Sequence, residues 1–176
     1  MTANGAIDRL ILNVADGDMS ALAELYGYIS APVFSYALSV LKNRSDAEDV
    51  LHDVLVGIIR HAKSYESRGK PIAWVITMAR NLCMSRLRER SRFSDAPAEE
   101  VYLPDNVSPE DRATLRACME KLKDDERSIV VMHAAAGLKH REIAQILGLP
   151  LSTVLSKYNR SIKKLRETLN DKEYGD

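Results

Sequence analysis

The chain has 176 residues, 25 Lys+Arg against 25 Asp+Glu, 45% hydrophobic and 28% charged, which is enough for one ordinary domain or two small ones. Zero net charge excludes a histone-like coat or a polybasic tail, so any nucleic-acid binding has to come from local patches. No apolar run approaches the roughly 18–20 residues of a membrane span, and Cys83 and Cys118 alone exclude a disulfide framework or a four-thiolate zinc site. The opening MTANGAIDRLILNVADGDMS has no basic segment ahead of a long apolar core, so no secretory signal is expected. A soluble, cytoplasmic, mostly helical protein is the expectation.

Short helices are expected over 19–29 and 31–42, with another over 5–15. Between Ser45 and Ala62, apolar residues at 47, 50, 51, 54, 55, 58, 59 and 62 form an unbroken helical stripe. Ser45 is the expected N-cap, with Asp46, Glu48 and Asp49 in the first turn, where the helix dipole favours anions. The exposed side carries Asp46, Asp49 and Asp53, with Glu48 and His52 beside them. On spacing alone this is a solvated acidic face or a seat for a basic partner surface. Nothing completes a metal shell, and His61, His133 and His140 lack ligand spacing, so neither a metal nor another cofactor nor a catalytic site is expected.

From Pro71 to about Arg90, apolar residues at 72, 75, 76, 79, 82, 83 and 87 predict the next helix, with Pro71 in its first turn. The opposite face carries Trp74, Thr77, Met78, Asn81, Ser85 and Arg88, followed by Arg86, Arg90 and Arg92. A ring to stack on, an amide for a base edge and cations for the backbone suit single-stranded DNA. Trp74 alone reads equally as a partly buried core residue, and the arginines alone as cations at a helix C-terminus.

Residues 93–111 hold six acidic and no basic residues and three prolines, without periodicity, and read as a linker. Helices follow at 109–122, 125–136, 140–147 and 151–169. Residues 140–160, HREIAQILGLPLSTVLSKYNR, have the form of a helix-turn-helix. Ala144 allows close helix approach, Gly148 tolerates positive φ in the turn, and Val154 anchors the second helix. The second helix has an apolar stripe of Val154, Tyr158, Ile162, Leu165 and Leu169. Its remaining face shows Ser152, Thr153, Ser156, Lys157, Asn159, Arg160, Lys163 and Lys164. Residues 151–166 hold five basic and no acidic residues, suiting a helix whose first turns reach base edges in the major groove while lysines grip phosphates.

The whole chain resembles a bacterial extracytoplasmic-function (ECF) sigma factor of the sigma-70 family. The carrying stretches are GDMSALAELY (17–26), SDAEDVLHDVL (45–55), AWVITMARNLCMSRLRERSR (73–92) and GLKHREIAQILGLPLSTVLSKYNRSIKKLRETL (137–169). The resemblance implies an all-α fold: a sigma region 2 helical bundle over 1–92, a linker over 93–108, and a region 4 helix-turn-helix domain over 109–176. It implies that Asp46, Glu48, Asp49 and Asp53 dock on the coiled coil of the polymerase beta-prime subunit. The loop Tyr65–Ala73 and the helix bearing Trp74 and Asn81 would melt and hold the -10 promoter element. The 151–166 helix would read the -35 element, and the linker would thread toward the RNA exit path of the core polymerase, which includes the beta subunit. An anti-sigma factor is an expected partner.

The chain departs from the family pattern in four places. The family usually has Gln-Glu where this chain has His52-Asp53, and an aromatic residue where it has Leu55. A Phe usually lies close before the Trp, where this chain reads ESRGKPIA. A basic residue usually stands at Leu155; its loss removes a DNA contact, or Leu155 extends the core stripe beside Val154. A promoter-specificity subunit, not an enzyme, is the leading reading. The alternative is a sigma-like protein that sequesters an anti-sigma factor without initiating transcription.

Overall fold

The structure is a computed structural model that describes residues 3–93 and 109–173. Among these, every regular element is helical: α1 (Ala3–Ala15), α2 (Ser20–Leu41), α3 (Arg44–His61), a 3-10 turn (Ala62–Ser64), α4 (Pro71–Phe93), α5 (Pro109–Glu120), α6 (Asp124–Ala134), α7 (His140–Leu147) and α8 (Leu151–Glu173). The linker expected over 93–108 lies outside the described residues, apart from Phe93 at the end of α4.

Helix α2 is the centre of the first half and packs against α1, α3 and α4. It is one continuous helix where two short ones were expected. Pro32 lies inside it, and a proline there removes one backbone hydrogen bond. Leu25, Ile29, Val33 and Tyr36 nevertheless stay on one fully buried face through that point, so packing on both sides of Pro32 outweighs the lost bond. The N-cap of α3 is Asn43, two residues earlier than the expected Ser45; its side-chain oxygen accepts from the Asp46 amide at 2.9 Å. Helices α3 and α4 approach closely at Gly57, where an added Cβ would meet the Met78 sulfur at 3.3 Å. Met78 is therefore turned toward α3 and does not join the outward face of α4.

In the second half Arg127 ties the end of α5 to α6, donating to the Met119 and Leu122 carbonyls at 3.0 and 2.9 Å and pairing with Asp124. The helix-turn-helix forms as expected. Gly148 ends α7 in the left-handed region at φ 66°, and Ala144 and Val154 are buried where α7 meets α8. The buried stripe of α8 is rotated from the apolar one expected: Ser161 and Thr168 are buried, while Leu169 is 45% exposed. Their hydroxyls donate back to the Lys157 and Lys164 carbonyls, each at 2.8 Å, which satisfies polar groups that would otherwise be costly to bury.

The two halves touch. Helix α6 packs on α2 and α7 on α4, and Ile129, Met132, Ile143 and Val154 belong to the same buried apolar cluster as Leu25, Ile58 and Ile76. Lys42, held in the left-handed region at φ 53° at the end of α2, pairs with Asp124 across the contact at 3.0 Å.

Candidate nucleic-acid interface

Two clefts lie along α4. In the first, of about 520 Å3, Ser64, Tyr65, Arg68, Lys70, Trp74 and Thr77 form one wall. Trp74 is half-buried, with the Tyr65 ring 4.7 Å away between centroids and tilted by 52°. Tyr65 is in turn fixed by a hydrogen bond from its hydroxyl to Asp8 of α1, whose other oxygen accepts from Ser67 at 2.7 Å. Burial and this bond push the Tyr65 hydroxyl well above its ordinary pKa, so it stays a neutral donor. Part of Trp74 packs on the core and the rest faces an open cleft. Tyr65 supplies the aromatic partner that the ESRGKPIA stretch lacks. The other wall comes from Glu142, Gln145 and Ile146 of α7.

The second cleft, about 550 Å3, is lined by Arg80, Asn81, Met84, Leu87, Arg88 and Ser91. Asn81 and Arg88 are exposed as expected. Arg80 joins them, a residue the sequence reading passed over. Its signal was the pair of four-residue steps through Met84 to Arg88, which run along one ridge of the helix to the face already singled out.

Arg86 is placed elsewhere. It faces α3, where its guanidinium meets Asp53 at 2.8 Å, Asp49 at 3.3 Å and Asp46 at 3.8 Å. Arg90 pairs with Asp46 and donates to the Leu41 carbonyl at 3.2 Å. Glu48 pairs with Arg44 at 2.7 Å on its own helix. The acidic face therefore exists, and its three aspartates are braced by α4. Asp49 and Asp53 remain 61% and 44% exposed, open to a partner on their outer side.

On α8 the basic residues divide into two sets. Lys157 pairs with Asp125, and Lys164 with the buried Glu126 at 2.6 Å, both on α6. Glu126 also accepts from the Lys123 amide at 3.1 Å. These lysines hold the second helix of the motif at its angle. The outward face keeps Ser152, Ser156, Asn159, Arg160 and Lys163 exposed, with Thr153 at its edge. Arg166 extends that exposed face by one turn. Leu155 is 39% exposed on it and does not join the core.

Three rings lock α7 to its neighbours. His133 and His140 stack at 4.5 Å between centroids, and Tyr158 of α8 meets them edge-on at 5.0 and 4.5 Å. His133 donates from Nδ1 to the Leu138 carbonyl at 2.8 Å, whereas the buried His140 Nε2 has no hydrogen-bond partner among the described residues. Burial, with the neighbouring His133, holds His140 below its ordinary pKa. A histidine kept neutral by folding becomes a liability once the unfolded chain starts to bind protons, below about pH 6.5. The melting temperature should fall as pH drops from about 7.5 to 5.5. His140→Phe should flatten that fall; an unchanged slope would remove His140 as its source.

The described residues contain no cluster of three metal-ligating side chains and no helix long and apolar enough to cross a membrane. Both cysteines are buried, and burial raises the Cys83 thiol to about 12.

Comparison with known proteins supplies the family. The Sigma-70 region 2 model matches residues 25–93 and the Sigma-70 region 4 model residues 112–165. The chain is 26% identical over 175 residues to the ECF RNA polymerase sigma factor SigK of Mycobacterium bovis, covering 93% of this chain and 94% of that one. It is 27% identical to the protein of the same name from Mycolicibacterium vanbaalenii, covering 93% and 89%. Among solved structures it is similar to CnrH in complex with the cytosolic domain of CnrY, with a TM-score of 0.69 at 22% identity over 94% of this chain and 97% of that one. It is also similar to the sigma factor RpoE of Bartonella quintana in complex with the anti-sigma factor NepR. There the TM-score is 0.69 at 25% identity, over 78% and 89% of the two chains.

Proposed function

Since this chain belongs to the ECF group of the sigma-70 family and is an alternative sigma factor that directs transcription by RNA polymerase, we propose the following division of labour among its surfaces. Residues 1–92 bind core polymerase and the -10 element, residues 109–176 bind the -35 element, and residues 93–108 connect them. The outer carboxylates of Asp49 and Asp53, with Asp46 and Glu48 beside them, meet a basic surface of the beta-prime subunit. The Tyr65–Trp74 cleft takes an unstacked base of the -10 element, and Asn81 with Arg80 and Arg88 holds the adjoining strand. Arg86 serves this strand indirectly, by tying α4 to the polymerase-facing helix. Ser152, Thr153, Ser156, Asn159, Arg160 and Lys163 address the -35 duplex, with Lys157 and Lys164 positioning α8 from behind. The protein works in the cytoplasm, where the polymerase is, and an anti-sigma factor restrains it.

The observation that carries this reading is the paired aromatic cleft and amide–arginine cleft on one helix, α4. The same cleft has α7 as its far wall, and Glu142 there would repel phosphates. Loading of single-stranded DNA therefore requires α7 to withdraw from α4, which opens part of the apolar cluster the two halves share as well as the weaker Lys42–Asp124 pair.

Promoter opening by the holoenzyme, read by permanganate footprinting, tests the assignment. Asn81→Ala should spare duplex binding and reduce opening. Trp74→Ala should reduce opening by the roughly 1–3 kcal/mol that base stacking contributes. Because the ring is half-buried, it should also lose part, but not all, of the about 3–5 kcal/mol expected for a core aromatic. Full opening by both variants would remove the α4 clefts from the DNA path.

A further inference from the structure

The outward face of α8 contains an anomaly that neither charge nor packing explains. Leu151 and Leu155 are 37% and 39% exposed and lie four residues apart, so they project from the same side of the helix. The neighbouring Val154 is fully buried, and the leucines stand on the flank of the buried row Val154, Ser161 and Thr168, between it and the outward polar side chains. A single exposed leucine needs no account. These two stand in the first turns of the second helix of a helix-turn-helix, flanked by Ser152, Ser156 and Asn159. Arg160 and Lys163 are exposed on the same face, the Lys163 side chain at 79%. Leu151, Leu155, Asn159 and Lys163 form one i, i+4 row, so any occupant of this face must offer anions to the cations and an apolar spot to the leucines beside them. A protein partner with an acidic rim would satisfy the charges. Duplex DNA satisfies both needs in one groove, because its phosphates border a floor on which the 5-methyl group of thymine is the apolar feature.

We propose that Leu155, with Leu151 beside it, is a specificity-determining residue that packs against thymine 5-methyl groups in the upstream promoter duplex. The inference rests on the assignment of α8 to the -35 element and adds what that helix reads there. A leucine makes no hydrogen bond to a base, so it cannot select guanine as a bidentate guanidinium at the same place would. It selects by shape and apolar contact, favouring thymine over cytosine and over any base that presents a bare polar edge. The hydroxyls and amide around it supply the hydrogen bonds, and the cations supply affinity without sequence preference.

The test uses holoenzyme reconstituted from the full chain and core polymerase, with synthetic promoter duplexes carrying an upstream element mapped from its own transcription start sites. Each thymine of that element is replaced in turn by deoxyuridine, which removes only the methyl group. At one or two positions the replacement should weaken binding about three- to fivefold, the amount one buried methyl accounts for. Leu155→Ala should weaken binding to the thymine duplex about three- to tenfold, abolish the thymine–uracil difference, and leave the salt dependence unchanged. Equal binding of every deoxyuridine duplex by the wild type would overturn the inference, as would a thymine–uracil difference that survives in Leu155→Ala. Loss of holoenzyme assembly in that variant would also overturn it, assigning the leucine to a protein contact. If the wild type recognises no upstream duplex at all, the assignment of α8 itself fails.

Discussion

Asp49→Lys combined with Asp53→Lys should abolish assembly with core polymerase, lowering affinity by more than about a hundredfold in a competition assay. The two carboxylates are the more open of the three aspartates, and charge reversal replaces attraction to a basic surface by repulsion. The same change strands Arg86 among like charges, so some loss of folding stability is expected as well. Asp49→Asn with Asp53→Asn separates the two effects, since it removes attraction without creating repulsion inside the protein. Arg86→Ala gives the complementary result: a lower melting temperature, because α3 and α4 lose their brace, with polymerase affinity held or raised as the aspartates are freed. Wild-type assembly by the lysine double variant would reduce the face to a solvated one. Weakened assembly by Arg86→Ala at a temperature where it is folded would place Arg86 in the polymerase contact itself.

Glu126→Ala should be strongly destabilising in the second half, although the residue is polar. The carboxylate is 2% exposed, caps the start of α6 through the Lys123 amide and pairs with Lys164. Removing it leaves a cation and a backbone donor without their partner, costing about 2–4 kcal/mol. Burial pushes the Glu126 carboxyl up, but Lys164 and the Lys123 amide outweigh it and hold the group below its ordinary pKa. That contribution is therefore intact above about pH 4.3 and is lost as pH falls through the lowered folded value. Upstream DNA binding should fall with it, because α8 loses one of its two struts. Salt titration then tells strut from contact. Arg160→Ala and Lys163→Ala should each reduce the salt slope by about 1. Lys157→Ala and Lys164→Ala should weaken binding with the slope held, since these side chains already face Asp125 and Glu126. A reduced slope in the Lys164 variant would return that lysine to the phosphates.

The difference between those lysines explains what could and could not be read from the chain. Helical periodicity located α3, α4, α7 and α8 because an apolar stripe is a local property of sequence. Pro71, Gly148, Ala144 and Val154 were legible for the same reason, each answering a steric demand within one or two turns. The partners of charged side chains are not local. Arg86 looked like one member of a basic cluster, yet its partners lie 33, 37 and 40 positions earlier on α3, and only the α3–α4 packing at Gly57 brings them together. Lys157 and Lys164 share a helix with Arg160 and Lys163, and which pair faces α6 depends on a rotation that the apolar pattern misplaced. That pattern counted Leu169 inward and missed Ser161 and Thr168, whose hydroxyls hide their polarity by bonding to the preceding turn. The α2 helix failed as two pieces because tertiary packing across Pro32 overrode the local penalty. The closure of α7 over the Trp74 cleft has no sequence signature.

Transcription reconstituted with purified core polymerase on fragmented genomic DNA, with start sites mapped, bears most directly on the claim that this chain directs initiation. Added protein should create discrete new start sites that share one -10 and one -35 sequence, and the Asp49→Lys, Asp53→Lys double variant should lose all of them. Identical start sites with and without the protein, under conditions where it assembles with the core enzyme, would contradict the account.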